Sequence, residues 1–310
     1  MLNLIKNENM KTFKRKRTWV MIGVMALFIL VQFLNVKFSH QVNYGDDWKT
    51  SLIEENSLLK IEKETKTLPL EILENEKKFL LNNYYIENNI KPENNAWFFT
   101  IGQSTNFLVA ISILTLIIAG EIVASEFQSG TIKFLLTRTA TRTQIYFSKY
   151  ISTLLFGLFL VGITFILSII FSGILLGFDG ITGDYWFVKD QVVQKTSVLQ
   201  ALIGSLLFKI PFLIVVATLA FMISAAFKSS TFSIVFSLLI TIAGFVMSIS
   251  LKGFSWTQYF IFSNTDLSNF IYESPPVEGM TLGFSLILIL IHICIMHIVA
   301  YPIFVKRDVV

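Results

Sequence analysis

Lys209, in LLFKIPFLIVV, and Glu121, in LIIAGEIVA, are ionisable side chains set inside long apolar stretches, where a charge needs a partner or water. Lys209 falls about ten residues into its stretch, and an ammonium at mid-depth in a bilayer costs roughly 2.5–3.5 kcal/mol. Two readings follow: it lines a translocation path or subunit interface, or it snorkels toward the outer headgroups. Pro211, two residues on, is expected to loosen and bend the helix there. Glu121 lies one turn from the end of its stretch, so pairing with a basic neighbour is expected rather than proton relay. His292 and His297 are five apart, off one helical face, where two metal ligands need three or four. They read as packed, hydrogen-bonded histidines, no metal is expected, and His40 stands alone. Nor is there a G-x-x-x-x-G-K-[ST] loop, an H-E-x-x-H or a G-x-S-x-G. The chain is expected not to be an enzyme and to hold no nucleotide or other cofactor itself.

A different kind of chemistry is offered by residues 121–149, EIVASEFQSGTIKFLLTRTATRTQIYFSK. Gly130–Thr131 is placed to end one helix and cap the next, since glycine tolerates the turn and the threonine hydroxyl accepts from free amides. A following short helix would carry Ile132, Leu135 and Leu136 on one side, with Arg138, Arg142 and Lys149 at the rim. An apolar side edged by basic residues is suited to docking in a groove of another protein.

The elements that position these residues are membrane spans. With 54% hydrophobic and 15% charged residues over 310 positions, the chain is too apolar for a soluble domain. Six windows are long enough to cross about 30 Å as helices: 19–36, 98–124, 150–178, 199–227, 231–250 and 280–304. They do not alternate as barrel strands would, so the fold class expected is an all-α polytopic membrane protein. An inward amino terminus puts thirteen Lys and Arg in segments 1–18, 125–149, 228 and 306–307, against three in 179–198 and 251–279. The topology is therefore N-in and C-in. The basic balance, with a pI near 9.0, points to anionic lipid headgroups and not to nucleic acid.

Segment 1–18 joins Leu2, Ile5, Met10 and Phe13 to six basic residues; it reads either as an interfacial helix or as a plain basic flank. The apolar run after it lacks a cleavage pattern and is expected to stay as an anchor. Residues 37–97 carry apolar positions at three- and four-residue spacing on both sides of Pro69, which predicts an extracellular helical hairpin, a ligand contact or a solvated cap. The aromatic-rich connection 251–279 predicts re-entrant or surface-lying short helices. Cys294 is the single cysteine, so no intramolecular disulfide is possible.

The spacing E-x-x-x-G-T-[IL]-x-x-L-L, T-R, [ST]-R, S-K, carried by Glu126, Gly130, Thr131, Leu135, Leu136, Arg138, Arg142, Ser148 and Lys149, resembles the first cytoplasmic loop of ABC-2 type transporter permeases. The likeness is greatest to small Gram-positive exporters of the bacitracin and lantibiotic-immunity kind. ISAAFKSS, at the end of the fourth window, resembles a second, weaker feature of that family. Members often have Pro after the T-R pair, where this chain has Thr139. The resemblance implies a multi-pass permease subunit of a bacterial cell membrane, exporting or extracting an amphiphilic or peptide-like substrate. It implies a dimer with a second copy or a sister permease, bound to two cytoplasmic ATPase subunits that alone hold ATP. A sensor or scaffold that recruits a cytoplasmic signalling partner is the alternative from another class.

Overall fold

The computed structural model describes residues 1–38, 47–65, 69–92, 96–132, 140–227, 229–251 and 254–306. His40, Leu135, Leu136, Arg138 and Thr139 therefore lie outside the described residues. The protein is an all-α polytopic membrane protein with six helical spans among the described residues. In chain order, α1 (Leu2–Lys14) leads into the first span, α2 (Lys16–Phe38), and the second region holds α3 (Trp48–Thr65) and α4 (Pro69–Glu87). A short α5 (Ala96–Gly102) precedes α6 (Ser104–Ile122) and α7 (Ala124–Gln128), and the third span is α8 (Arg142–Leu176). The fourth is divided into α9 (Val198–Leu207) and α10 (Ile210–Ala226), and the last two are α11 (Ser230–Ser250) and α13 (Leu282–Lys306). Between these two lie 3₁₀ turns at Ser255–Tyr259 and Ile261–Asn264 and the one-turn α12 (Asn269–Tyr272).

Local chemistry sets the starts of several helices. Thr141 and Gln144 form a capping box at α8, the threonine oxygen accepting from the Gln144 amide at 3.2 Å. Ser197 and Ser229 cap α9 and α11 in the same manner, accepting from Gln200 and Phe232. The α6–α10 pair forms the centre of the bundle, with Leu116, Ala119, Val216 and Ala220 out of solvent. By contrast, α2, α11 and α13 expose apolar faces, such as Val24, Leu239 and Ile298, that only hydrocarbon can cover favourably. The starts of α2, α8 and α11 and the ends of α6, α10 and α13 share one end of the bundle. At the opposite end, α3 and α4 form a helical hairpin with a buried polar seam: Asn56 donates to Asn83 at 2.9 Å, and Asn82 donates to Asn56 at 3.0 Å.

Two features depart from the sequence-based expectation. The connection after α8 contains an antiparallel hairpin, β1 (Asp184–Lys189) paired with β2 (Val192–Ser197), with Asp184 opposite Ser197. Its two-residue turn, Asp190–Gln191, has φ of 49° and 62°, as a type I′ turn requires. The second departure is the fourth window, which is two helices: α9 packs on α5 and the β-hairpin, and a turn at Phe208–Lys209 separates it from α10. The aromatic connection does form short helical turns. Ile261 and Phe262 are buried against the bundle while Phe254, Trp256 and Tyr259 remain exposed, as rings at a headgroup boundary do.

Candidate functional site: a buried ion cluster and a polar cavity

At the end of the bundle that carries α1, four charges meet. Lys149, in the second turn of α8, is fully buried, and its Nζ lies 2.7 Å from Glu8 Oε2 and 2.7 Å from Glu126 Oε2. Lys11 completes the ring, 2.6 Å from Glu8 Oε1 and 3.0 Å from Glu126 Oε1. Two carboxylates and two ammoniums make the cluster neutral, which is what allows it to leave water. Burial pushes the Glu8 carboxyl up, but Lys149 and Lys11 outweigh it, so the net shift is down from the ordinary 4.5. Lys11 shows the mirror case: burial lowers it, Glu8 and Glu126 prevail, and its ammonium is held above the usual value. Through these pairs α1 is strapped across the start of α8, with Ser152 donating to Asn9 at 2.5 Å.

Glu121, one helical turn before α7, pairs with Arg15 at 3.4 Å and with Arg17, the structural pairing expected for it. Between α6 and α7 the helix breaks at Val123, and the hydroxyl of Ser224 near the end of α10 accepts from the Val123 and Ala124 amides at 3.3 and 3.0 Å. Gly130 then takes φ +71°, in the left-handed region, and a Cβ there would touch nothing within 4 Å. The glycine is needed for backbone conformation alone. The Thr131 hydroxyl lies 2.9 Å from that of Ser129.

The predicted basic rim is corrected in two respects. Lys149 faces inward because α1 covers its side of α8, and Glu126 is likewise buried, so neither is placed at the surface. Arg142 donates to the Val305 carbonyl at 2.6 Å, binding the start of α8 to the last turn of α13, where a cation complements free carbonyls. Residues 126, 130, 131, 142, 148 and 149 are nonetheless brought to one end of the molecule. Glu8 and Lys11 belong with them and were missed as site residues, since nothing in the local spacing joins them to Lys149, 138 or more positions away.

Lys209 and Pro211 lie at the other end. Lys209 occupies the turn before α10, level with the start of α6. Its Nζ donates to Thr105 and Ser104 at 2.5 and 3.1 Å and stands 3.7 Å from Asp266. Pro211 sits in the first turn of α10, where its missing N–H costs nothing; it begins a helix instead of bending one. Lys209 borders a cavity of about 440 Å³ beneath α4 and β1, which also takes in Lys77, Glu273 and Tyr185. Burial, with Glu273 alongside, pushes the Tyr185 hydroxyl up to about 12, so it stays neutral. The histidines are packed as expected: His297 Nδ1 lies 2.8 Å from the Tyr146 hydroxyl and His292 Nδ1 lies 2.9 Å from the Leu288 carbonyl. No group of three or more metal-ligating side chains occurs among the described residues.

A family described as a protein of unknown function, DUF2705, matches residues 70–310. The chain belongs to DUF2705. The family span contains Glu126, Gly130, Lys149 and Lys209, and begins after Glu8 and Lys11. "Uncharacterized protein YhcI" of Bacillus subtilis (strain 168) is 38% identical over 315 aligned residues, covering 100% of this chain and 99% of its own. "Uncharacterized membrane protein YdbK" of the same organism is 29% identical over 220 residues, 70% of this chain and 84% of its own. No solved structure matches. The multi-pass character of this DUF2705 member agrees with the printed name of the second relative.

Proposed function

We propose that this protein is the membrane subunit of an ATP-driven exporter of amphiphilic or peptide-like molecules in a bacterial cell membrane. In this reading the end bearing α1, α7 and the carboxyl-terminal turn of α13 faces the cytoplasm, and a dimer of separate ATPase subunits docks against the segment after Gly130. The subunit pairs with a second copy or a sister permease and supplies no catalytic group. The observation that carries the reading is the way the helix leading to that segment is anchored. This helix, α7, is tied to α1 and α8 by the Glu8–Lys149–Glu126–Lys11 cluster and to α10 by Ser224. A push on α7 is thereby delivered to α1, α8 and α10 as a rigid-body displacement.

The experiment is affinity purification of the full chain from native membranes, followed by ATPase and transport assays on Gly130→Ile and Gly130→Asn. Co-purification of a nucleotide-binding subunit is expected. Isoleucine is a poor fit to a left-handed backbone and asparagine a tolerated one, so transport should fall about tenfold or more in the first and much less in the second, with insertion intact. A chain that purifies without an ATPase, or two variants that transport equally well, would refute the proposal. The sensor reading has one observation in its favour. A cavity of about 400 Å³ lies between the helical and β-hairpins, bordered by Leu59, Phe79, Leu80 and Val188.

A further inference from the structure

We propose that the region around the α9–α10 turn binds the zwitterionic headgroup of a lipid-like amphiphile, its anionic group on Lys209, Thr105 and Ser104, its ammonium on Glu74, and its tail in an adjoining phenylalanine-lined cleft. The claim deepens the exporter reading by naming the class of molecule carried, and rests on that reading only for the step of transport. As a binding site it stands on its own geometry.

Two cavities meet at Lys209. The polar one, about 440 Å³, lies beneath α4 and β1; the other, about 230 Å³, runs down among Val109, Phe212, Phe245, Ile249 and Phe262. Lys209, Thr105, Glu74 and Glu273 border both. A molecule with a charged head and a hydrocarbon tail matches that division. The level matches too. Lys209 and Ser104 mark the starts of α10 and α6, and Ile249 at the rim of the cleft is 40% exposed on the lipid-facing α11.

The polar groups select the head. An ammonium has three protons; Lys209 gives one each to Thr105 and Ser104 and turns the third toward Asp266, which at 3.7 Å is beyond hydrogen-bond reach. The two hydroxyls, having accepted from Lys209, retain protons of their own with no acceptor among the described residues. Two hydroxyl donors beside an ammonium that is shared with Asp266 suit a phosphate or carboxylate oxygen. Other charges nearby are already matched: Lys77 pairs with Glu273 at 2.8 Å and Lys78 with Glu55 at 2.5 Å. Glu74 faces both cavities and pairs with no cation among the described residues. Glu74 is exposed and solvated in the empty site, so it sets a preference among heads: one carrying both charges meets Lys209 and the hydroxyls at one end and Glu74 at the other.

The test is native mass spectrometry of the purified full chain titrated with dioleoyl phosphatidylethanolamine, dioleoyl phosphatidylglycerol, dioleoylglycerol and tail-less glycerophosphoethanolamine. The ethanolamine lipid should bind about tenfold more tightly than dioleoylglycerol, with the glycerol phospholipid between them. Lys209→Met should bring both phospholipids down to the dioleoylglycerol level. Glu74→Gln, at an exposed position, should erase the preference between the two phospholipids while leaving the glycerol one unchanged. Tail-less headgroup should bind at least about tenfold more weakly than the lipid. Full retention of the ethanolamine lipid by Lys209→Met, a preference that survives Glu74→Gln, or equal binding of the tail-less headgroup would overturn the assignment. Since no ATP or partner is present, a failure here leaves the exporter reading standing, and absence of an ATPase leaves this site standing.

Discussion

Replacing Lys149 with Met keeps the volume and removes the charge at the centre of the buried cluster. Among the described residues, Glu8 and Glu126 would then share only Lys11, whose side chain is 44% exposed and so holds them more weakly through solvent. Removing one partner of a buried pair costs about 3–5 kcal/mol, and the surviving Lys11 contact places this case near the lower figure. The pH dependence has a definite sign. In the wild type the Glu8 carboxyl is held below 4.5, so its contribution is present above that value and is lost as pH falls through the lower folded one. Without Lys149, the opposing effect of burial gains ground and the carboxyl moves upward. The variant is therefore least impaired in acid, and the gap from wild type widens as pH rises past the ordinary carboxylate range. Thermal unfolding in detergent at pH 4.5 and pH 7 reads the stability, and trypsin cleavage in α1 reads release of the strap. The double variant Glu8→Gln, Lys149→Met leaves no uncompensated pair and should recover at least about 1.5 kcal/mol relative to additivity. A Lys149→Met protein within about 0.5 kcal/mol of wild type at pH 7, or a strictly additive double variant, would refute the reasoning.

Gly120→Ala would place a Cβ 2.9 Å from Ile234 Cγ1 and 3.3 Å from its Cα and N, and the backbone atoms cannot step aside. A loss of about 1–3 kcal/mol, seen as a lower Tm, is expected where α6 meets α11, and an unchanged Tm would count against that close approach. Ser224→Ala leaves the Val123 and Ala124 amides buried with no acceptor, at a cost of about 1–3 kcal/mol. Its mark is faster hydrogen exchange at the α6–α7 junction, with the rest of α6 still protected. Gln191→Gly relieves a left-handed residue at φ 62° and should stabilise the β-hairpin by about 1 kcal/mol, measured as slower exchange of the Phe187 and Gln194 amides.

The spans were legible in the sequence because hydrocarbon imposes a length and a polarity that survive any packing detail, and the pairing of Glu121 followed from its place one turn from the end of its span, though not the identity of Arg15 and Arg17 as partners. The break before α10 was not legible to a hydropathy window, which weighs Lys-Ile-Pro as one charge among many apolar residues. A proline two positions after a polar residue is equally a helix start, and that was the signal to use. The β-hairpin carried its signal in the alternation of DYWFVK and VVQKTS around a two-residue turn, obscured by lying between spans. Lys149 is a different case. As one more basic residue beside a cytoplasmic loop it reads as surface, and only the path of α1 across α8 brings Glu8 against it. That contact joins residues 141 positions apart, and no local pattern encodes it.

Among the spans, the pair α6 and α10 joins the Lys209 turn to the α7 junction directly. α10 begins at the Lys209 turn and ends beside Ser224; α6 begins at Ser104 and ends at the α7 junction. Polar contacts lock the pair at both extremities, Lys209 to Ser104 and Thr105 at one and Ser224 to Val123 and Ala124 at the other. Close-packed apolar side chains such as Leu116, Val216 and Ala220 fill the length between. A core at native density yields little to compression, so α6 and α10 move together if they move at all. Over the 17 residues of α10, about 25 Å at 1.5 Å per residue, a tilt imposed at α7 would reappear at the Lys209 cavity. The same lock makes the coupling reciprocal: a ligand that favours one tilt at Lys209 must bias the position of α7 to the same degree. Disulfide trapping between α6 and α10 should then leave ligand binding intact while trapping between α6 and α8 alters it, and the reverse result would show that the two ends move independently.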